Sequence, residues 1–458
     1  MIFFTVEFAC FLLAFLVIYW IVLRFFGLNA QNLLLLLFNY VLIVWINPYF
    51  ALVVFIYTFT IYLFALLIFE FDSKTLFACC LSCIILNLCF FKYFPAIKDS
   101  FDILLGFLGF SAQQADVIFP LGLSFYTFAS ITYLHSVLQG TMPQSFLSLA
   151  CYLSFFPTFI SGPIMRSQYF FEQLYSIRKL ENISLIVVLI LFGITKKVFL
   201  ANYLQIYSES ILHNPSIYNS LTLLLGIYAY CVQLYCDFSG YINLVTAFAL
   251  MIGFTLPQNF NMPYMARNIK DFWARWHISL SLFIRDYIYI PLGGNQKGFF
   301  LTQIFVLISF ALSGIWHGNS WNFLVWGLLH GVATICLNIL RFYNFRINVP
   351  YVSSIITFHF VAFTWLFFVY TDIQDSLFYI KSLFLNLTLP TNSLQWQYLI
   401  LCALCFFMYP FTCNAMQYGC KILDSLPLIL QPLLIALVAI LIIGLSANGI
   451  PNFIYAGF

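Results

Sequence analysis

The residues best suited to chemistry in this chain are histidines placed in polar breaks between apolar runs. His317 lies in Ser313-Gly314-Ile315-Trp316-His317-Gly318-Asn319-Ser320-Trp321-Asn322, an almost uncharged interval with long apolar stretches on both sides. An imidazole titrates near neutrality, and in its unprotonated form it serves as a general base. A histidine in a membrane segment is a functional candidate by default. The alternative is a ring hydrogen-bonded across a helix interface. Gly314 and Gly318 leave room beside it for a ligand or another backbone. His330 follows thirteen residues later, about 220° around the same helix if that helix were continuous. The two imidazoles would then face apart, which argues against a two-histidine metal site, and packing is the preferred reading of His330. His135, His213 and His359 have no polar company in sequence and read as structural.

A second group is charged. Arg267, Lys270, Asp271, Arg275, Arg285, Asp286 and Lys297 place seven of the chain's 33 charges within residues 267–297, roughly a threefold enrichment. Five of the seven are basic, which assigns the segment to the cytoplasmic side. Phe272, Trp273 and Trp276 interleave with Lys270, Arg275 and His277, the pattern of an amphipathic interfacial helix. Two readings stand. In one, tryptophans and arginines anchor the topology at headgroup depth. In the other, Arg275, Arg285 and Trp273 form a docking surface for an anionic ligand such as a nucleotide-bearing coenzyme, with the Gly293-Gly294 turn allowing close approach. Asp237 sits between two apolar runs and is expected to face the protein interior, since a lone carboxylate in hydrocarbon is costly. Lys196-Lys197 reads as a membrane boundary. The segment 452–458, NFIYAGF, is aromatic and without side-chain charge, and is expected to pack into the membrane body.

These residues must be held by helices in a bilayer. Of 458 residues, 63% are hydrophobic and only 7% charged, against ~25% in soluble domains. That balance excludes a soluble enzyme, a disordered tail protein and a disulfide scaffold. The thirteen cysteines lie mostly in apolar runs, and a net charge of +3 gives no reason to expect nucleic acid. Apolar runs of roughly 17–25 residues recur along the chain. The expectation is an all-α polytopic membrane protein with about eleven spans, one integral-membrane domain over 1–458, and no soluble domain. The first span ends at Arg24, placing the N-terminus outside. The stretch Cys151 to Ile164, short and broken by Pro157, Gly162 and Pro163, reads as re-entrant.

Several motifs in order over 117–340 make the chain similar to a known family. They are Phe119-Pro120-Leu121-Gly122-Leu123-Ser124-Phe125; Ser161-Gly162-Pro163-Ile164 with Arg166; Gly193 to Lys197; Asp237-Phe238-Ser239-Gly240-Tyr241; Asn259-Phe260-Asn261-Met262-Pro263-Tyr264; Phe272-Trp273 to Arg285-Asp286-Tyr287; and Trp316-His317-Gly318 with Trp321-Asn322. The set resembles the membrane-bound O-acyltransferases, in particular the bacterial branch that modifies cell-surface polymers. The resemblance implies a funnel with a thin central wall and further re-entrant or interfacial helices. It assigns the catalytic histidine to His317 and a second important histidine to His277. His330 matches a histidine common in the branch. The tail at 453–458 resembles an aromatic ending whose tyrosine takes the acyl group, here Tyr455, although Ala456 replaces the usual aromatic.

The mechanism implied is acyl transfer through the membrane. Acetyl-CoA, a donor substrate rather than a bound cofactor, would dock on 267–297, with Asp237, His330 and Asn322 supporting the site. No metal is expected. His317 would take the proton from Tyr455, with Asn319, Asn322 or main-chain N–H groups as oxyanion donors. Acetyl would pass to a periplasmic esterase-like O-acetyltransferase of the SGNH/GDSL type that modifies a wall polymer outside a bacterial inner membrane. Residue usage typical of an AT-rich genome leans towards peptidoglycan. Alginate or another exopolysaccharide, D-alanyl transfer to teichoic acid, a membrane-dissolved acceptor, and a non-catalytic acyl or lipid transporter are the alternatives.

Overall fold

The computed structural model describes residues 3, 5–107, 118–345, 349–388 and 393–446. All regular structure among them is helical, with no strand. Nine of the described helices are long and apolar enough to cross a membrane. The chain is therefore a multi-pass membrane protein, as composition demands. The nine spans compare with about eleven expected. The runs read as separate spans at 219–235 and 240–256 form one helix, Ser220–Met251. The run at 117–138 yields only Leu123–Leu138. The first helix, Val6–Ile46, is broken at Gly27, so it accounts for two of the expected spans.

The chain divides into two compact units, residues 1–181 with 248–257, and residues 182–247 with 258–458. The first contains α1 (Val6–Ile46), α2 (Pro48–Phe71), α3 (Lys74–Phe107), α4 (Leu123–Leu138), α5 (Phe146–Leu153), α6 (Phe156–Phe159) and α7 (Ser167–Leu174). α4 starts at Gly122, whose φ of +77° suits glycine. A Cβ there would lie 2.3 Å from the Phe159 carbonyl oxygen, so the Pro-Leu-Gly motif brings α4 against α6. The stretch expected to be re-entrant is two short helices, α5 and α6, with nearly every residue buried. Its polar groups are met inside the protein: the Tyr152 hydroxyl donates to Met165 O at 2.7 Å, and Phe156 N–H donates to Asn39 Oδ1 at 3.3 Å. Broken backbone at membrane depth requires such partners. Arg178, also buried, donates to Gln31 Oε1 at 2.7 Å and Asn32 Oδ1 at 2.6 Å.

The second unit holds α8 (Ile183–Ile194), a π-helical turn Thr195–Leu200, α9 (Ala201–Leu212) and most of α10 (Ser220–Met251). It continues with the short α11 (Ile269–Trp273), α12 (Ile278–Ile284) and α13 (Ile290–Leu292), then α14 (Phe299–His317) and α15 (Trp321–Phe342). α16 (Pro350–Thr364), α17 (Leu366–Val369), α18 (Ile373–Leu385), α19 (Ser393–Met408), α20 (Ala415–Ser425) and α21 (Leu430–Leu445) complete it. The segment 267–297 is not the continuous amphipathic helix its pattern suggested. α11 stops after five residues and His277 adopts φ +43°, a left-handed geometry that no α-helix continues through. Phe272, Trp276 and His277 are buried instead of interfacial.

Lys197 is not a membrane-boundary residue. It is buried on the π-helical turn and forms an ion pair with buried Asp237 of α10. The approach is close, since a Cβ on Gly193 would lie 2.6 Å from the Leu244 side chain. A buried charge deprived of its partner typically costs about 3–5 kcal/mol, whereas replacing both charges with apolar groups is often neutral. Lys197→Met should therefore lower the detergent-phase melting temperature more than Lys197→Met combined with Asp237→Leu. Thermal unfolding of the purified variants provides the measurement.

Candidate active site

The site is built on the α14–α15 hairpin of the second unit. A Cβ on Gly314 would lie 2.3 Å from the Phe323 carbonyl oxygen, and one on Gly327 would lie 2.4 Å from Phe310 O. Only glycine permits that separation, so the two helices meet backbone to backbone. His317 is the last residue of α14 and is 2% exposed. Its ring is surrounded by Trp316 at 4.6 Å, Phe368 at 5.1 Å, Trp326 at 5.1 Å and Phe323 at 6.3 Å. The imidazole thus sits in an aromatic cage that excludes bulk water.

α14 and α15 are separate helices, so the angular argument that set His317 and His330 on opposite faces does not apply. Both rings touch Trp326, at 5.1 and 5.0 Å. The hydrogen bonds of His330 determine its tautomer. Trp273 Nε1, which can only donate, lies 3.3 Å from His330 Nδ1. Nδ1 must accept, which leaves the proton on Nε2, 3.0 Å from Thr364 Oγ1. Thr364 in turn donates to Val361 O at 2.8 Å. With both ring nitrogens engaged, His330 is suited to positioning Trp326 and not to accepting a substrate proton.

His277 lies apart from this cage. It is 1% exposed, and its ring meets Phe238 at 5.0 Å. Asn259 Oδ1 accepts from Ser279 N at 3.2 Å, Ser279 Oγ at 2.8 Å and His277 Nδ1 at 3.2 Å. Nδ1 therefore donates and Nε2 carries the lone pair. Backbone bonds from Ile278 N to Asn259 O and from Asn261 N to Arg275 O fasten the two motifs together. The aromatic series His277's neighbour Trp276, Trp365 and Trp326, with centroids 5.1 and 5.7 Å apart, extends to His317.

The other expected residues are placed as follows. Trp273 joins the site through His330. Asn322 is buried, and its Nδ2 is used on Tyr370 O at 2.8 Å, Asp372 O at 3.0 Å and Ser376 Oγ at 3.1 Å. It is therefore unsuited to oxyanion donation. With Ser320, which bonds Thr371 O, it latches residues 370–376 to the start of α15. Arg275 pairs with Asp271 at 2.7 Å and Arg285 with Asp286 at 2.7 Å, so neither guanidinium is fully available to an anion. Asp237 is engaged by Lys197. Tyr455 lies outside the described residues. Sequence reasoning missed Asn259, Trp326, Thr364 and Trp365, although the Asn259-Phe260-Asn261 motif carried a signal for the first. His359 proves to have a polar partner, the Tyr228 hydroxyl at 2.6 Å.

Burial pushes the His277 imidazole down to about 3, below its ordinary ~6.5. The folded state thus holds the ring neutral where the unfolded chain would bind a proton. The stabilisation is complete above pH 6.5 and is lost as pH falls from there towards 3, by up to ~1.4 kcal/mol per pH unit. Unfolding temperatures measured between pH 7 and pH 4.5 should fall less steeply for His277→Gln than for the wild type.

A family model described as MBOAT, the membrane-bound O-acyltransferase family, matches residues 126–380. The chain is 36% identical over 249 residues to the probable alginate O-acetylase AlgI of Pseudomonas putida, covering 53% of this chain and 51% of the relative. It is 32% identical over 330 residues to the peptidoglycan O-acetyltransferase of Helicobacter pylori, covering 64% and 62%. The teichoic acid D-alanyltransferase of Bacillus subtilis is 31% identical over 265 residues, covering 53% and 67%. The chain spans about half the length of the alginate relatives it matches. Because the family match takes in more than half of the sequence, including the whole α14–α15 hairpin and the His277 segment, this chain belongs to the membrane-bound O-acyltransferase family.

Proposed function

We propose that this protein is an O-acyltransferase that moves acetyl from cytoplasmic acetyl-CoA through the membrane to an extracytoplasmic acceptor. The observation that carries the reading is the caged His317 at the end of α14, inside the family match. A neutral hydroxyl is a poor nucleophile and needs a base. In this mechanism His317 removes the proton as the Tyr455 hydroxyl attacks the thioester carbonyl. The C–O bond forms, the C–S bond breaks, and the departing thiolate recovers the proton from the imidazolium. The low exposure of the ring strengthens its interactions with the developing charges. The donor approaches from the 267–297 side, past His277. Asn322 is excluded as oxyanion donor by its own bonds, which leaves main-chain N–H groups or Asn319.

Acetyl then passes from Tyr455 to a periplasmic SGNH-type partner in a bacterial inner membrane setting. Peptidoglycan is the polymer favoured, because the relative named for peptidoglycan aligns over a longer stretch than those named for alginate. D-alanyl transfer to teichoic acid is the second reading, supported by the D-alanyltransferase relatives.

Mass spectrometry of the C-terminal peptide, after incubation of the reconstituted full chain with acetyl-CoA, tests the relay. An acetyl adduct is expected in the wild type and absent from both Tyr455→Phe and His317→Ala. An active wild-type protein with an unmodified tail would eliminate the tyrosine step.

A further inference from the structure

Away from the His317 cage, the second unit contains a groove of about 890 Å3 between α15, α16 and the start of α11. Cavities of ~300–1,000 Å3 commonly hold small ligands. Its mouth is cationic. Arg267 and Arg341 line it, and Lys270 lies close enough that burial and then the Arg341 guanidinium push its ammonium below the ordinary value. Among the described residues no carboxylate pairs with any of these three, whereas Arg275 and Arg285 each have an aspartate. The Asp271 carboxylate accepts from the Arg267 main-chain N–H at 3.0 Å, but its ion pair is with Arg275. Three cations outnumber it at the mouth, which favours an anion, and guanidinium pairs suit phosphate.

The walls indicate which anion. Below the mouth they are apolar: Leu337 and Leu340 of α15 face Ile356 and Phe360 of α16. Ile356 is 56% exposed and Leu340 40%, so the groove opens sideways. Both helices are membrane spans, and Arg341 is in the last turn of its span. The cations therefore sit where headgroup phosphates lie and the apolar walls where acyl chains lie. A nucleotide would want polar seats for base and ribose, and the uncharged polar side chains lining the groove are few: Asn268, whose Oδ1 accepts from Asp271 N, Thr357, whose hydroxyl donates to Ser353 O, and Ser353. Basic pockets between membrane helices suit anionic lipid headgroups.

We propose that this groove binds an anionic phospholipid, its phosphate on Arg267 and Arg341 and one acyl chain along Leu337, Leu340, Ile356 and Phe360. The site adjoins the chemistry, because the Phe360 ring meets His330 at 5.6 Å. An ordered chain in the groove would bear on the residue that positions Trp326.

Native mass spectrometry of the purified full chain, titrated with phosphatidylglycerol or phosphatidylcholine of identical chains, tests this. The wild type should retain one phosphatidylglycerol at about tenfold or more lower concentration than phosphatidylcholine. Arg267→Gln with Arg341→Gln should abolish the preference, and the double lysine variant should keep most of it. Equal retention of the two lipids by the wild type would overturn the proposal without any variant. So would an unchanged preference in the glutamine variant. Displacement of the lipid by inorganic phosphate would identify a free-anion site, and displacement by coenzyme A a donor seat, and either would overturn the lipid assignment.

Discussion

The site depends on the contact between Gly314 and Gly327. Neither position has room for a Cβ, and α14 and α15 can approach only because none is there. In a bilayer there is little hydrophobic drive between helices, and small residues that let backbones pack closely take its place. That contact brings the end of α14 beside the first turns of α15, so His317 meets Phe323 and Trp326 together. A hairpin a few ångströms wider would leave the imidazole at the edge of its cage, where water could reach it.

Around that hairpin, polar groups fix orientation. Trp273 and Thr364 occupy both nitrogens of His330, which holds its ring against Trp326. Asn322 and Ser320 fasten residues 370–376 to the head of α15, and α17, just before them, presents Phe368 to His317. The proposed division of labour between the two histidines rests on His330 being locked between two side chains and on His317 standing at the end of α14 among four aromatic rings.

How much of this was legible in sequence varied with the range of the interaction. The break around His317 stood out because polar residues interrupt two apolar runs, a local signal. Its near neighbour His330 was legible as a packing residue, but not its tautomer, because its partners lie 57 and 34 positions away. Asp237 could be inferred to need a partner, yet Lys197 looked like a boundary residue, since period and composition say nothing of which helices cross. The charged, Trp-rich pattern at 267–297 suggested one interfacial helix. The left-handed turn at His277, tied down by Asn259, depends on bonds between segments that no helical period encodes. Asn322 is one of several oxyanion-donor candidates in sequence, and only the structure reveals the carbonyls that consume its amide.

The central claim is that His317 reacts and His330 positions. The most direct measurement compares acyl transfer from acetyl-CoA by His317→Gln and His330→Gln proteins reconstituted in the same vesicles. The account predicts that His317→Gln falls to the background of empty vesicles while His330→Gln keeps a reduced but measurable rate. Transfer by His317→Gln at the wild-type rate, with His330→Gln inactive, would contradict it.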